Sequence, residues 1–122
     1  MIKIVIIDDE VQILNMLEIF FKRMSGFSVE TFSSPISGLE YVLSNNIDIV
    51  LLDIMMPQMD GIEVLDKIKD KKPNAKVIMM SAYSTLDRVL QTHKKGADSY
   101  LMKPFESLAT LQTKIKEVLN SN

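Results

Sequence analysis

"IVLLDIMMP", residues 49–57, runs four aliphatic residues straight into an aspartate and then returns to apolar residues. An unbroken apolar run of this length, without alternation, reads as a strand covered on both faces. Asp53 stands at its carboxyl end. Carboxylates are among the side chains least often buried without a partner, so this one needs a functional reason.

Outward from that stretch, strand and helix patterns alternate along the whole chain. Residues 2–7, "IKIVII", form a first strand, and residues 11–24 carry Val11, Leu14, Leu17, Phe21 and Met24 on one helical face. Residues 27–32, "FSVETF", alternate apolar and polar as a half-exposed strand does. A second helix opens at Ser34–Pro35, where a proline in the first turn loses little, and runs to about Ser44 before "NN". The third strand is expected over 48–52. The third helix carries Ile62, Leu65, Ile68 and Lys69 and ends before Pro73. Residues 76–80, "KVIMM", form the fourth strand. Leu86, Val89 and Leu90 mark a fourth helix, closed by Gly96 as its C′ residue. A short fifth strand covers 98–102, and Leu108, Leu111, Ile115, Val118 and Leu119 mark the last helix.

This is an α/β chain of (βα)5 type with short connections. It predicts a doubly wound, parallel five-stranded sheet with helices on both faces. Strands one, three and four are nearly continuous apolar runs and belong in the middle, whereas strands two and five are alternating or short and belong at the edges. The order 2-1-3-4-5 follows, with its switch point between strands one and three.

The composition suits this reading. The chain has 122 residues, 47% hydrophobic and 25% charged, with 14 Lys plus Arg against 16 Asp plus Glu for a formal net charge of −2. That is apolar material for one core and one domain over residues 1–122, and it excludes nucleic-acid binding by bulk charge. The absence of cysteine excludes disulfides and thiolate metal sites and suits a cytoplasmic setting. The first apolar run ends in "DDE" and is too short for a signal peptide or a membrane span.

In open α/β sheets the site lies outside the carboxyl ends of the strands. Strand one ends in Asp8, Asp9 and Glu10, strand three in Asp53, strand four in Ser81, and strand five in Lys103 followed by Pro104. Carboxylates this close repel unless a cation sits among them. Mg2+ prefers carboxylate and water oxygens, so Asp8, Asp9 and Asp53 form a sensible magnesium cluster, with Lys103 a second positive charge and Ser81 a hydroxyl donor. These parts suit phosphoryl transfer, with a carboxylate as nucleophile forming an aspartyl phosphate. Taken alone, Asp8 and Asp9 could equally cap the first helix. His93, Lys71–Lys72 and Lys94–Lys95 read as solvated helix ends.

"IVIIDDE", "VLLDIMMPQMDGIEVL", "VIMMSAYS" and "GADSYLMKPF" resemble, in order and spacing, the receiver domain of two-component response regulators, a flavodoxin-like fold. The resemblance covers essentially the whole chain. It implies that Asp53 is the phosphoacceptor, that Asp8 and Asp9 hold Mg2+ with Asp53 and the backbone carbonyl of Met55, and that Lys103 pairs with the phosphoryl group. It further implies a cis peptide at Lys103–Pro104, a hydroxyl switch at Ser81 and an aromatic switch at Tyr100. Met55 and Tyr83 match the positions that flank the phosphoryl group and govern water access. Both are bulky, so slow self-hydrolysis is expected.

The implied donor is a histidine kinase or a phosphotransfer protein. The implied output is a partner protein read by the face of helix four, strand five and helix five, with no direct contact to nucleic acid or membrane and a monomer or weak homodimer as the expected state. The chain would catalyse only its own phosphorylation and dephosphorylation. The alternative is a phosphorylation-independent interaction module of the same fold. A haloacid-dehalogenase-type phosphatase is disfavoured, because Asp53 is followed by Ile54 and Met55 rather than by a second acid.

Overall fold

In the computed structural model, which describes residues 1–82, 85–105 and 107–121, the even and odd residues of the central strands part into two dry layers. The strands are β1 (Ile2–Ile7), β2 (Phe27–Phe32), β3 (Ile49–Asp53), β4 (Val77–Ser81) and β5 (Ser99–Met102). They alternate with α1 (Val11–Lys22), α2 (Pro35–Ser44), α3 (Gly61–Lys71), α4 (Leu86–Lys94) and α5 (Leu108–Asn120). All pairings are parallel and the order is β2-β1-β3-β4-β5, as the patterning predicts.

Successive side chains of a strand point to opposite faces. Ile4, Ile6, Ile49, Leu51, Ile78 and Met80 therefore pack with Leu14, Leu17 and Phe21 of α1 and Leu111, Ile115 and Val118 of α5. Val5, Ile7, Val50, Leu52, Val77 and Met79 pack with Leu39 and Val42 of α2 and Val64, Leu65 and Ile68 of α3. Every residue of β3 and β4 is buried. The two layers clamp these strands from both sides and hold their carboxyl ends in place.

Three strand starts differ from expectation by one residue. Asp48 does not join β3; its carboxylate accepts the backbone N–H of Lys3 at 2.7 Å. Asp98 does the same for Val77 at 2.8 Å. Each side chain stands in for a ladder carbonyl, so β3 and β5 begin one residue later, while β3 and β4 extend to include Asp53 and Ser81. Asp53 pairs with Met80 and Ser81 with Met102 in the ladder, which makes both prospective site residues part of the sheet. Lys76 likewise precedes β4, and α1 stops at Lys22 rather than 24, ahead of Gly26 with φ +90°.

The helix ends follow local chemistry. Ser34 caps α2 through the Ser37 N–H, with Pro35 at the first position. Gly96, with φ +97°, closes α4 as predicted. Lys72, in contrast, is not a solvated helix end. Its ammonium donates to the carbonyls of Val42, at 2.7 Å, and Asn45, tying the end of α3 to the end of α2, where the Asn45 side chain also donates to the Tyr41 carbonyl at 2.9 Å. Helix α4 departs in another way. Leu86 and Leu90, which mark it in the sequence, are 72% and 47% exposed, and Thr92 is its one buried residue.

Candidate functional site

The carboxyl edge of β1, β3, β4 and β5 collects the polar residues that lie inside an otherwise apolar core. Asp8, Asp53, Ser81 and Lys103 are all buried. Asp8 follows β1 and is held by its backbone N–H to the carbonyl of Phe32 at 3.1 Å. Its Oδ1 accepts the N–H of Glu10 at 2.8 Å. The first residue before α1 is Glu10, whose own side chain makes no capping bond; the Asp8 carboxylate instead holds its N–H just ahead of the helix.

Lys103 reaches into this group from the end of β5. Its backbone N–H donates to Ser81 at 3.0 Å, and its bond to Pro104 is cis, as the resemblance implies. Its Nζ lies 2.6 Å from Asp8 Oδ2, 3.0 Å from Glu10 Oε1 and 3.6 Å from Asp53 Oδ1. The contact with Asp8 is a charge contact rather than an aligned hydrogen bond. It leaves that buried oxygen without a hydrogen-bond donor among the described residues. A half-satisfied buried carboxylate is costly.

The electrostatics carry the same message. Burial first, then the charge of Asp8, with a hydrogen bond to Asp9 adding to them, push the Asp53 carboxyl up to about 7 against the opposing pull of Lys103. Asp8 is raised too, again by burial first, with Lys103 and the Glu10 N–H opposing. For Lys103 burial alone would depress the ammonium, but Asp8 and Glu10 outweigh it and the net shift is upward. Two buried acids and one buried base hold each other in place, the pattern expected at functional sites.

The expected residues do not all converge equally. Oxygens of Asp8, Glu10 and Asp53 lie within 4.8 Å of one another. Asp9 reaches Asp53 but is itself exposed and stands outside that trio. Opposite ligands of an octahedral Mg2+ stand about 4 Å apart, so the trio is within about an ångström of a ligand shell. With hard oxygen donors, and a buried Asp8 oxygen whose contact is the Lys103 charge rather than an aligned hydrogen bond, the residues present fit such an ion. Met55, 50% exposed, follows on the loop after β3. Tyr100 is half-buried against the α2–α3 layer, and its hydroxyl donates to the Ser81 carbonyl at 3.4 Å, a long, weak bond. Tyr83 lies outside the described residues.

Two contributors were not singled out by sequence reasoning. Glu10 was visible in "DDE" at the end of strand one but was assigned no role there. Gly61 opens α3 against the back of Asp53: a Cβ there would stand 2.0 Å from the Asp53 carbonyl oxygen and 2.7 Å from the Ile54 Cα. Only glycine permits that approach, and the signal was the unusual glycine beginning a helix in "MDGIEVL". Asp60, just before it, caps α3 through the Ile62 N–H at 3.1 Å and pairs with Arg88 of α4. A cleft of about 740 Å3 lies at the other end of the strands among Lys69, Lys76, Lys94, Lys95 and Asp98. Three of those lysines are already engaged, by Asp98, by Ser121 and by Asp66, and none is near the acidic group.

Comparison with known proteins points the same way. The family profile of the response regulator receiver domain matches residues 4–116. An uncharacterized transcriptional regulatory protein, YclJ of Bacillus subtilis, is 36% identical over 117 residues, covering 96% of this chain and 50% of its own. The chain spans half or less of the length of the curated relatives it matches. Among solved structures, a CheY-like response regulator receiver domain protein from Methanospirillum hungatei superposes with a TM-score of 0.93 at 32% identity, covering 98% of this chain and 94% of that one. The response regulator TrrA of Thermotoga maritima, determined in complex with Mg2+ and a beryllium fluoride, superposes with a TM-score of 0.85 at 34% identity, covering 97% and 99%.

Proposed function

This chain belongs to the response regulator receiver domain family, and from that premise we propose that Asp53 is its phosphoacceptor, taking a phosphoryl group from the phosphohistidine of a histidine kinase or phosphotransfer protein. The observation that carries the reading is the buried contact of Lys103 with both Asp8 and Asp53 at the carboxyl edge of the sheet. An ammonium shared in this way neutralises the nucleophile and remains available to an oxygen that arrives on it.

In the reaction an Asp53 carboxylate oxygen attacks phosphorus in line. The phosphorus–nitrogen bond of phosphohistidine breaks, and the imidazole leaves with the electron pair and takes a proton. Lys103 holds Asp53 on the side of the attack and then pairs with a phosphoryl oxygen. Burial excludes the water that would compete with the carboxylate. Mg2+, held by Asp8, Asp9, Asp53 and the Met55 carbonyl as the resemblance implies, with Glu10 a further acid within reach, would supply charge neutralisation at the phosphoryl oxygens.

The new charge on Asp53 then biases Ser81 and Tyr100 between two arrangements. Leu86, Leu90 and Met102, the last 67% exposed, give the face of α4 and β5 an apolar character that suits a partner protein. No described helix is long and apolar enough to cross a membrane; a cytoplasmic location is part of the proposal. The bulk of Met55, and of Tyr83 beyond the described residues, supports slow loss of the phosphoryl group. Intact-mass analysis with Mg2+ and a small phosphodonor tests the reading. Wild type gains one phosphoryl mass and Asp53→Asn does not. No gain on the wild type would reduce the chain to a phosphorylation-independent interaction module.

A further inference from the structure

Glu10 is closer to the Lys103 ammonium than Asp53 is, 3.0 Å against 3.6 Å. Its side chain is 57% exposed, whereas those of Lys103 and Asp53 are 4% and 5%. It performs no capping duty at α1, and the one side-chain hydrogen bond it makes among the described residues is to Lys103. A carboxylate so placed does two things. It occupies a donor of the ammonium that a phosphoryl group must engage, and it puts a solvent-facing negative charge at the mouth of the buried acidic pair.

We propose that Glu10 is a specificity-determining residue that screens phosphodonors by charge. It opposes small, highly anionic donors and is displaced by donors whose phosphoryl group arrives on a neutral or cationic leaving group, as phosphoimidazole does. The proposal rests on Asp53 being the phosphoacceptor. It differs from a metal-holding role for Glu10 in the sign of its effect: removing a screen speeds phosphorylation, whereas removing a ligand slows it.

The magnitude follows from Coulomb's law. One unit charge about 5 Å from Glu10 in a water-like dielectric is opposed by about 4-fold in rate, and the factor compounds with donor charge. Replacing Glu10 therefore accelerates phosphorylation by acetyl phosphate, a dianion, by about 16-fold, and by phosphoramidate, a monoanion, by about 4-fold at low salt. Both gains fall toward unity near 1 M salt, where screening is short.

The experiment measures rates of mass gain for wild type, Glu10→Gln, Glu10→Asp and the control Glu18→Gln, with both donors at low and high salt, alongside Asp53→Asn. Glu18 lies on α1 and pairs with Lys22, so its loss leaves both rates unchanged. The expected result is a rise of about 4-fold in the acetyl phosphate to phosphoramidate rate ratio for Glu10→Gln, lost at high salt, with Glu10→Asp near wild type. An unchanged ratio, or slowing with both donors, overturns the proposal while Asp53 still takes up phosphate. Failure of the wild type to gain mass at all would instead sink the phosphoacceptor reading beneath it.

Discussion

Asp53→Asn should stabilise this protein, and the gain should depend on pH. Asp53 is 4% exposed, and its carboxyl is pushed up to about 7 from the ordinary 3.8, by burial first and then by the charge of Asp8. The folded protein thus binds the Asp53 proton more tightly than the unfolded chain. Protonation favours the fold, and deprotonation works against it. Below about pH 4 both states carry the proton and the penalty is absent; between there and about pH 7 it grows, and above that it is full. At about 1.4 kcal/mol per pH unit, the gap between 3.8 and about 7 is worth about 4 kcal/mol. Lys103 keeps Asp8 and Glu10 as partners in the variant, so about 2–4 kcal/mol should be recovered. For a domain of this size that is a rise in Tm of about 8–16 °C. Thermal melts followed by circular dichroism, with a chelator present, from pH 4 to pH 8, measure the difference between variant and wild type. It should be near zero at the acid end and reach its maximum above neutrality. Added Mg2+ at pH 8 should raise the wild-type Tm more than that of the variant. A difference that stays flat across this range, or a variant less stable than wild type at pH 8, would refute the electrostatic account of the site.

Two further outcomes probe the scaffold. Gly61→Ala puts a Cβ 2.0 Å from the Asp53 carbonyl oxygen, and backbone cannot rotate away, so the β3–α3 junction must shift; about 1–3 kcal/mol of stability and about 10-fold or more in phosphorylation rate should be lost, read by urea titration and timed mass analysis. Lys72→Met removes the two hydrogen bonds that Lys72 gives to the end of α2 and should lower stability by about 1–2 kcal/mol with no change in phosphorylation rate.

The topology and the heart of the site were legible because each rests on local pattern. Unbroken apolar runs mark β1, β3 and β4 as central, and a charged residue ending such a run, as Asp53 does, stands at the sheet edge whatever else the chain does. What was hidden depends on contacts between distant segments. The starts of β3 and β5 moved because the carboxylates of Asp48 and Asp98 reach across to Lys3 and Val77, which no propensity describes. Lys72 looked like any lysine at a helix end until the end of α2 lay beneath it. Glu10 gains its meaning from Lys103, 93 positions away. The leucines of α4 signal a helix correctly but not the side they face, because amphipathic spacing is the same for a core and for a partner surface.

A protein of this size could gain stability by replacing its buried acids, and it keeps them instead. Two dry layers hold β3 so firmly that Asp53 cannot move out to water, and the cost of that is carried by one ammonium shared among three carboxylates. Such a site binds best whatever relieves it, a divalent cation or a group that draws Lys103 away from Asp8. The relief has a structural outlet. The Ser81 carbonyl accepts both the Lys103 N–H and the Tyr100 hydroxyl, so β4 and β5 meet at one oxygen directly beside the charges. If Asp53 is phosphorylated as proposed, a shift of Lys103 toward the phosphoryl group would pull on that junction, and the weak 3.4 Å bond from Tyr100 would be the contact to yield first. On the proposed phosphorylation of Asp53, the electrostatic penalty there and the looseness of Tyr100 would act as two halves of one device.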